Sequence, residues 1–261
     1  MPVFEPGDDP GSSFPELLRR VGLSPSAELA GADLSGLTVP HATTCVALTY
    51  DGGVVMAGDR RATSGYLISH RTMEKVVEAD SHSGVAIAGA AGPAMEMIRL
   101  FQLQLEHYEK VEGSSISLEG KANQLSMMVR SNLPAAMQGM VVVPIFAGYD
   151  LRREVGRLWD FDATGGRYEE KDFVATGSGS LHAGTVIKVG FRPGMSRDEA
   201  VELAARALWE AADADSATGG PDVLRGIYPV VAAIDAEGWI RIDDEELRLR
   251  YESIASEVSS R

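Results

Sequence analysis

The residues that could do chemistry are a threonine, an acid and a lysine at even spacing: Thr43, Asp59 sixteen positions later, and Lys75 sixteen after that. Thr43 lies in His41-Ala42-Thr43-Thr44-Cys45-Val46-Ala47-Leu48, where a ragged segment gives way to the first regular strand. A chain cut before this threonine would present a hydroxyl and an α-amine on one residue. Such a residue carries its own general base, because the amine reaches the hydroxyl. A terminal amine titrates near ~7.7–8.0, so part of it is neutral at pH 7, whereas a side-chain amine is mostly charged there. Thr-Thr also starts a strand on β-propensity alone, and these two residues leave both readings open. The acid, the lysine and a Gly-rich turn favour the first. That turn, Ala88-Gly89-Ala90-Ala91-Gly92, leads from a strand-like run into a helical one, where backbone N–H groups are free to hold an oxyanion.

Short strands and amphipathic helices must hold these residues. Thr44 to Tyr50 and Val54 to Ala57 are β-branched or apolar runs around Asp51-Gly52-Gly53, a strong hairpin signal. Lys75 to Val77 and Val85 to Ala88 read as a second pair. The period then becomes helical over Pro93 to Val111 and Leu118 to Met137, the latter interrupted near Pro134. Strands return at Met140 to Ala147, Arg157 to Phe161 and Phe173 to Thr176. Helices follow from Ser180 to Val189 and from Ser196 to Ala212, the second opened by a Ser196–Glu199 capping box. A hairpin around Ala236-Glu237-Gly238 joins Ile227 to Ile234 with Trp239 to Ile242, and a helix from Asp243 to Ser256 closes the chain. Runs of strands alternate with pairs of helices. That order predicts an α+β protein in which two stacked antiparallel sheets carry helices on both outer faces.

Composition removes several function classes. A net charge of −14 argues against sequence-independent nucleic-acid binding, which needs a basic surface. Cys45 is the only cysteine, so no intrachain disulfide forms, and it reads as a small buried strand residue. No run approaches the ~18 apolar residues of a spanning helix, so no membrane role is expected. The acidic, proline-rich start is wrong for a secretory signal, which predicts a cytoplasmic protein. The five histidines are scattered without His-Glu-x-x-His spacing, and no metal or cofactor is expected. Residues 1 to 42 are rich in Pro, Gly, Ser and Asp, with one amphipathic patch from Pro15 to Val21. Composition reads them as a disordered tail; the Thr-Thr junction behind them favours a prosegment.

With these residues in this order the chain resembles the β-subunits of the 20S proteasome, N-terminal-nucleophile threonine peptidases, from about His41 to about Asp243. Leu105-Glu106-His107-Tyr108-Glu109-Lys110, Ala136-Met137-Gln138-Gly139 and Ser216-Ala217-Thr218-Gly219-Gly220-Pro221-Asp222 resemble the actinobacterial type. The resemblance implies a four-layer αββα sandwich over residues 43 to 261 and a prosegment, 1 to 42, removed by self-cleavage between Ala42 and Thr43. It makes Thr43 Oγ the nucleophile and the freed α-amine the base. Lys75 would lie beside the hydroxyl, Asp59 would hold and orient Lys75, and the Gly89 N–H would donate to the oxyanion. Gly177-Ser178-Gly179-Ser180 and the acidic turn from Asp213 to Gly220 also resemble family segments, with Asp215 orienting Ser178 and the amine. Thr63 and the Gly89–Ala91 edge would pair with the substrate backbone. Ala62, Met73, Ile87 and Ala91 would line the pocket before the scissile bond, which predicts a preference for apolar or aromatic residues.

The implied partners are α-subunits and other β-subunits in an α7β7β7α7 barrel, a ring-shaped ATPase or other activator, and unfolded substrates. One departure matters: the family has Gly before the catalytic threonine, whereas here Ala42 adds a Cβ that narrows the turn needed for self-cleavage. It feeds the alternative of an unprocessed, catalytically idle ring subunit. The shorter bacterial relative that works with an unfoldase shares the threonine start. The long prosegment and the last hairpin and helix argue against it.

Overall fold

β1 (Thr44–Tyr50) and β2 (Gly53–Gly58) pair antiparallel through the two-residue Asp51-Gly52 turn, with Tyr50 opposite Gly53. The computed structural model describes residues 43–64 and 67–260; Ala42 and the rest of 1–42, with its amphipathic patch, lie outside them. All the described residues fall in one compact unit. A short hairpin, β3 (Ala62–Ser64) and β4 (Leu67–His70), follows, then β5 (Val76–Asp80) and β6 (Ser83–Gly89). Helices α1 (Ala91–Glu112) and α2 (Leu118–Ser131) come next, with a single turn, α3 (Leu133–Ala136), split off where Pro134 falls. β7 (Val142–Asp150), β8 (Val155–Phe161), β9 (Arg167–Glu170) and β10 (Phe173–Gly177) precede α4 (Ser180–Gly190) and α5 (Arg197–Ala214). β11 (Val230–Asp235), β12 (Gly238–Arg241) and α6 (Asp244–Ser259) end the chain.

Among the described residues the strands form two five-stranded antiparallel sheets, ordered β10-β1-β2-β11-β12 and β5-β6-β7-β8-β9, beside the separate β3-β4 hairpin. Alternation along the strands explains the layers. Val46, Leu48, Val55 and Ala57 face a core shared with Ala183, Ala204, Leu208 and Leu247 of α4, α5 and α6. Their neighbours Cys45, Ala47, Val54 and Met56 point the other way, onto Ala86, Ile145 and Leu158 of the second sheet. The far face of that sheet, with Val85, Phe146 and Trp159, packs on Met97, Phe101 and Leu125 of α1 and α2. The result is helix, sheet, sheet, helix, as expected. Strands buried on both faces read as unbroken apolar runs, which is why they stood out in the sequence.

Three differences from the sequence reading have local causes. The β3-β4 hairpin was not expected, because its residues are polar or exposed and bury little. β9 is an edge strand of polar and charged residues, held where Arg157 of β8 forms a fork onto Glu169 at 2.7 and 2.8 Å and stacks over Trp159. β11 begins at Val230 rather than Ile227, since Pro229 has no N–H for a ladder and Ile227 bridges to Asp222 instead. The Ser196–Glu199 capping box of α5 and the Asp243 cap of α6 are both formed.

Candidate active site

Thr43 sits at the mouth of β1, one residue before the ladder starts, and is almost fully buried. Asp59 follows the last residue of β2, and β1 and β2 lie side by side, so the turn-defined register brings Asp59 back next to Thr44. The Thr44 N–H donates to Asp59 Oδ1 at 2.9 Å. Lys75 precedes β5 in the second sheet and reaches across to the same oxygen at 2.7 Å, with both side chains at 1% exposure or less. A buried ion pair holds only when its remaining donors and acceptors are met. Here they are: Asp59 Oδ2 accepts from the Arg61 N–H at 2.9 Å and the Gly219 N–H at 2.8 Å, and Lys75 Nζ also donates to the Arg61 carbonyl at 2.5 Å. Hairpins of two sheets meeting face to face thus bring Asp59 and Lys75 together beside Thr43 and Thr44.

The opposite flank of Thr43 is built by the loop after β10. Ser178 Oγ lies 3.4 Å from both the Thr43 nitrogen and the Thr43 carbonyl oxygen, and donates to Asp215 Oδ2 at 2.5 Å. In the uncut chain that nitrogen is a peptide N–H; after cleavage before Thr43 the same atom would be the α-amine. Asp215 ends α5. Burial alone would push its carboxyl up, but donors from Ser178, Thr218 and the Ala217 N–H, with the charge of His182, hold it below the usual range. It is therefore an anion at neutral pH, two bonds from the amine position.

The Gly89 N–H is aimed by the ladder. Ile87 donates to the Lys75 carbonyl on the β5 side at 2.9 Å, and Ala90 to Val141 on the β7 side at 2.8 Å. Alternate N–H groups of an antiparallel strand point to opposite neighbours, so Gly89 points as Ile87 does, past the start of β5. Only glycine fits there: its φ is +117° and a Cβ would lie 2.1 Å from the Val141 carbonyl oxygen.

A cavity of about 450 Å³ opens where these pieces meet, lined by Thr43, Lys75 and Gly89 together with Ala62, Thr63, Met73, Ile87 and Ala91. Every substrate contact expected from the sequence lines it. Asp59, Ser178 and Asp215 stand behind that wall rather than on it. Ser69 and His70 of the unexpected hairpin also line the cavity, and sequence reasoning missed them with the hairpin itself. It missed Thr218 and Gly219 as well. Both lie in the acidic turn already singled out, yet nothing in their types told that the turn reaches Asp59. Cys45 is no rival nucleophile: burial and the nearby Asp59 outweigh Lys75 and push its thiol up to about 12.

The model of the family described as proteasome subunit matches residues 39–224. The chain belongs to this family. Among its relatives, proteins named proteasome subunit beta from Acidimicrobium ferrooxidans, Acidothermus cellulolyticus and Streptomyces griseus are 57%, 58% and 57% identical. The alignments cover 99%, 79% and 79% of this chain and 93%, 73% and 74% of those proteins. The family match spans the Thr43, Asp59, Lys75, Gly89, Ser178 and Asp215 positions. No helix among the described residues is long and apolar enough to cross a membrane.

Proposed function

We propose that the chain is an active β-type subunit of a proteasome core, a threonine endopeptidase that cleaves unfolded proteins inside a barrel chamber. The observation that carries this reading is the single cavity that gathers Thr43, Lys75 and the Gly89 edge with the expected substrate contacts. Maturation comes first. Thr43 Oγ attacks the Ala42 carbonyl carbon, the Ala42–Thr43 C–N bond breaks, and the acyl group passes from nitrogen to oxygen. Water then hydrolyses the ester, leaving an Ala42 carboxylate and a free Thr43 amine. In each later turnover the amine takes the Oγ proton and Oγ attacks the scissile carbonyl. Gly89 N–H donates to the oxyanion, the leaving amine takes the proton, and water activated by the α-amine hydrolyses the ester. Lys75 favours the alkoxide-like oxygen, and Asp59 fixes Lys75.

Assembly with other subunits has support on the surface. Leu103 and Val111 of α1 and Leu181 and Val189 of α4 are apolar and more than half exposed, as faces awaiting neighbours are. The α7β7β7α7 arrangement, an ATPase ring at its ends and a cytoplasmic location belong to this reading. So does the prosegment role of residues 1–42. The idle-subunit reading rests on Ala42 alone and leaves the Lys75–Asp59 pair without a purpose.

The test is acid-quench trapping during turnover. The chain, co-assembled with its α-type partner, is given peptides with Leu, Tyr, Glu or Lys before the scissile bond. Fastest release from the Leu and Tyr peptides is expected, with an acyl mass added at Thr43. No turnover, or an acyl group on another residue such as Ser178, overturns the reading.

A further inference from the structure

Thr44 is wholly buried on β1, its side chain in the row of Val46 and Leu48 that faces the helices. A valine would fill that place in an apolar row. The hydroxyl instead meets two partners. Gly179 N–H donates to Thr44 Oγ at 3.1 Å, and Thr44 Oγ lies 2.6 Å from Thr218 Oγ. Thr218 in turn donates to Asp215 Oδ2 at 2.6 Å. These contacts fix the direction of every proton. Thr218 has one hydroxyl hydrogen, and the carboxylate takes it, so the Thr44 hydroxyl must be the donor between the two threonines. The chain then runs from Gly179 N–H through Thr44 O–H and Thr218 O–H to the Asp215 carboxylate. Ser178 feeds the same Asp215 oxygen. The space is built to fit: a Cβ on Gly179 would come within 2.3 Å of Thr44 Oγ and 2.8 Å of Thr218 Oγ.

We propose that Thr44 is a positioning residue that ties the strand carrying Thr43 to both carboxylates of the site. Its N–H is held by Asp59, the partner of Lys75, and its O–H by the relay to Asp215, the partner of Ser178. The residue next to the nucleophile is thus clamped from both sides. The inference rests on the function proposed above. The charged groups about the amine position are Asp215, with His182 of α4 acting on it, and the Lys75–Asp59 pair. Without the Thr44 hydroxyl, Thr218 loses its incoming donor and gives a weaker bond to Asp215. Asp215 then acts more strongly, through Ser178, on the charged form of the amine.

Thr44→Val and Thr44→Ser are compared with wild type in assembled particles, per processed chain. For Thr44→Val, kcat is expected to fall ~10–100-fold, the range for a misplaced reacting group, with KM within about twofold. The acidic limb of kcat/KM moves to higher pH, and Thr44→Ser restores both. A merely structural role would lower the melting temperature or the yield and leave kcat per processed chain and its pH profile unchanged, which overturns the inference. If Thr44→Val does not assemble, Thr218→Val removes the next link and must reproduce the kcat loss and the pH shift; wild-type behaviour there overturns it too. An inactive wild type instead overturns the proposed function, and this inference with it.

Discussion

Thr43→Ala is expected to abolish peptidase activity, by at least ~10⁴-fold, and to leave the 261-residue precursor uncut in an otherwise assembled particle. In the proposed mechanism one oxygen serves both reactions, because the bond before Thr43 and the substrate bond are attacked by the same Oγ. Its removal leaves the Gly89 N–H and the other walls of the cavity in place, so the loss reports the missing oxygen. The assembled state survives because Thr43→Ala leaves the backbone unchanged, and with it the β1 ladder that starts at Thr44. Thr43→Ser keeps oxygen and amine and is expected to retain cleavage and activity within about tenfold. The loss reflects the freer χ1 of serine, which no longer holds the oxygen as a β-branched side chain does. Intact mass and peptide hydrolysis read both variants. A Thr43→Ala particle that matures or cleaves peptides contradicts the mechanism.

Lys75→Ala is the second large effect, and its contrast with Asp59→Ala separates chemistry from folding. Lys75→Ala removes the cation that lines the cavity beside Thr43, with an expected loss of ~10²–10³-fold or more in kcat, the scale for deleting one preorganised electrostatic contact. Asp59 is then left without its ion pair but still accepts from the N–H groups of Thr44, Arg61 and Gly219. Three backbone donors keep a buried carboxylate satisfied, so the fold stands and the particle assembles. Asp59→Ala does the opposite damage. It takes the paired carboxylate away from a buried ammonium and leaves three N–H groups without that acceptor, a loss of ~3–5 kcal/mol on the scale for breaking a buried pair. Assembled yield and melting temperature are expected to fall far more for Asp59→Ala, while both variants lose activity. Equal stability of the two, or an active Lys75→Ala particle, contradicts the assigned roles.

The frame of this site was legible in the sequence because hairpins are written locally. Asp51-Gly52 sets the β1–β2 register, and that register alone returns Asp59 to Thr44. Buried strands covered on both faces show as apolar runs, and helices show by their period. The polar scaffolding was less legible. That Gly219 of a helix-ending turn would donate to Asp59, one hundred and sixty positions away, is set by how α5 lies on β1 and β2, and no local pattern encodes it. The β3-β4 hairpin stayed hidden for the same reason. It earns its shape from the cavity wall rather than from a buried face of its own, so Ser69 and His70 could not be placed beside Thr43.

Self-cleavage before Thr43 has to proceed with alanine at position 42, which populates fewer backbone conformations than glycine. The direct measurement is intact mass with N-terminal sequencing of the wild-type chain after co-assembly with its α-type partner. Loss of residues 1–42 with Thr43 as the new first residue is the predicted result. A fully assembled particle that keeps the uncut chain would contradict it and leave an idle ring subunit in its place.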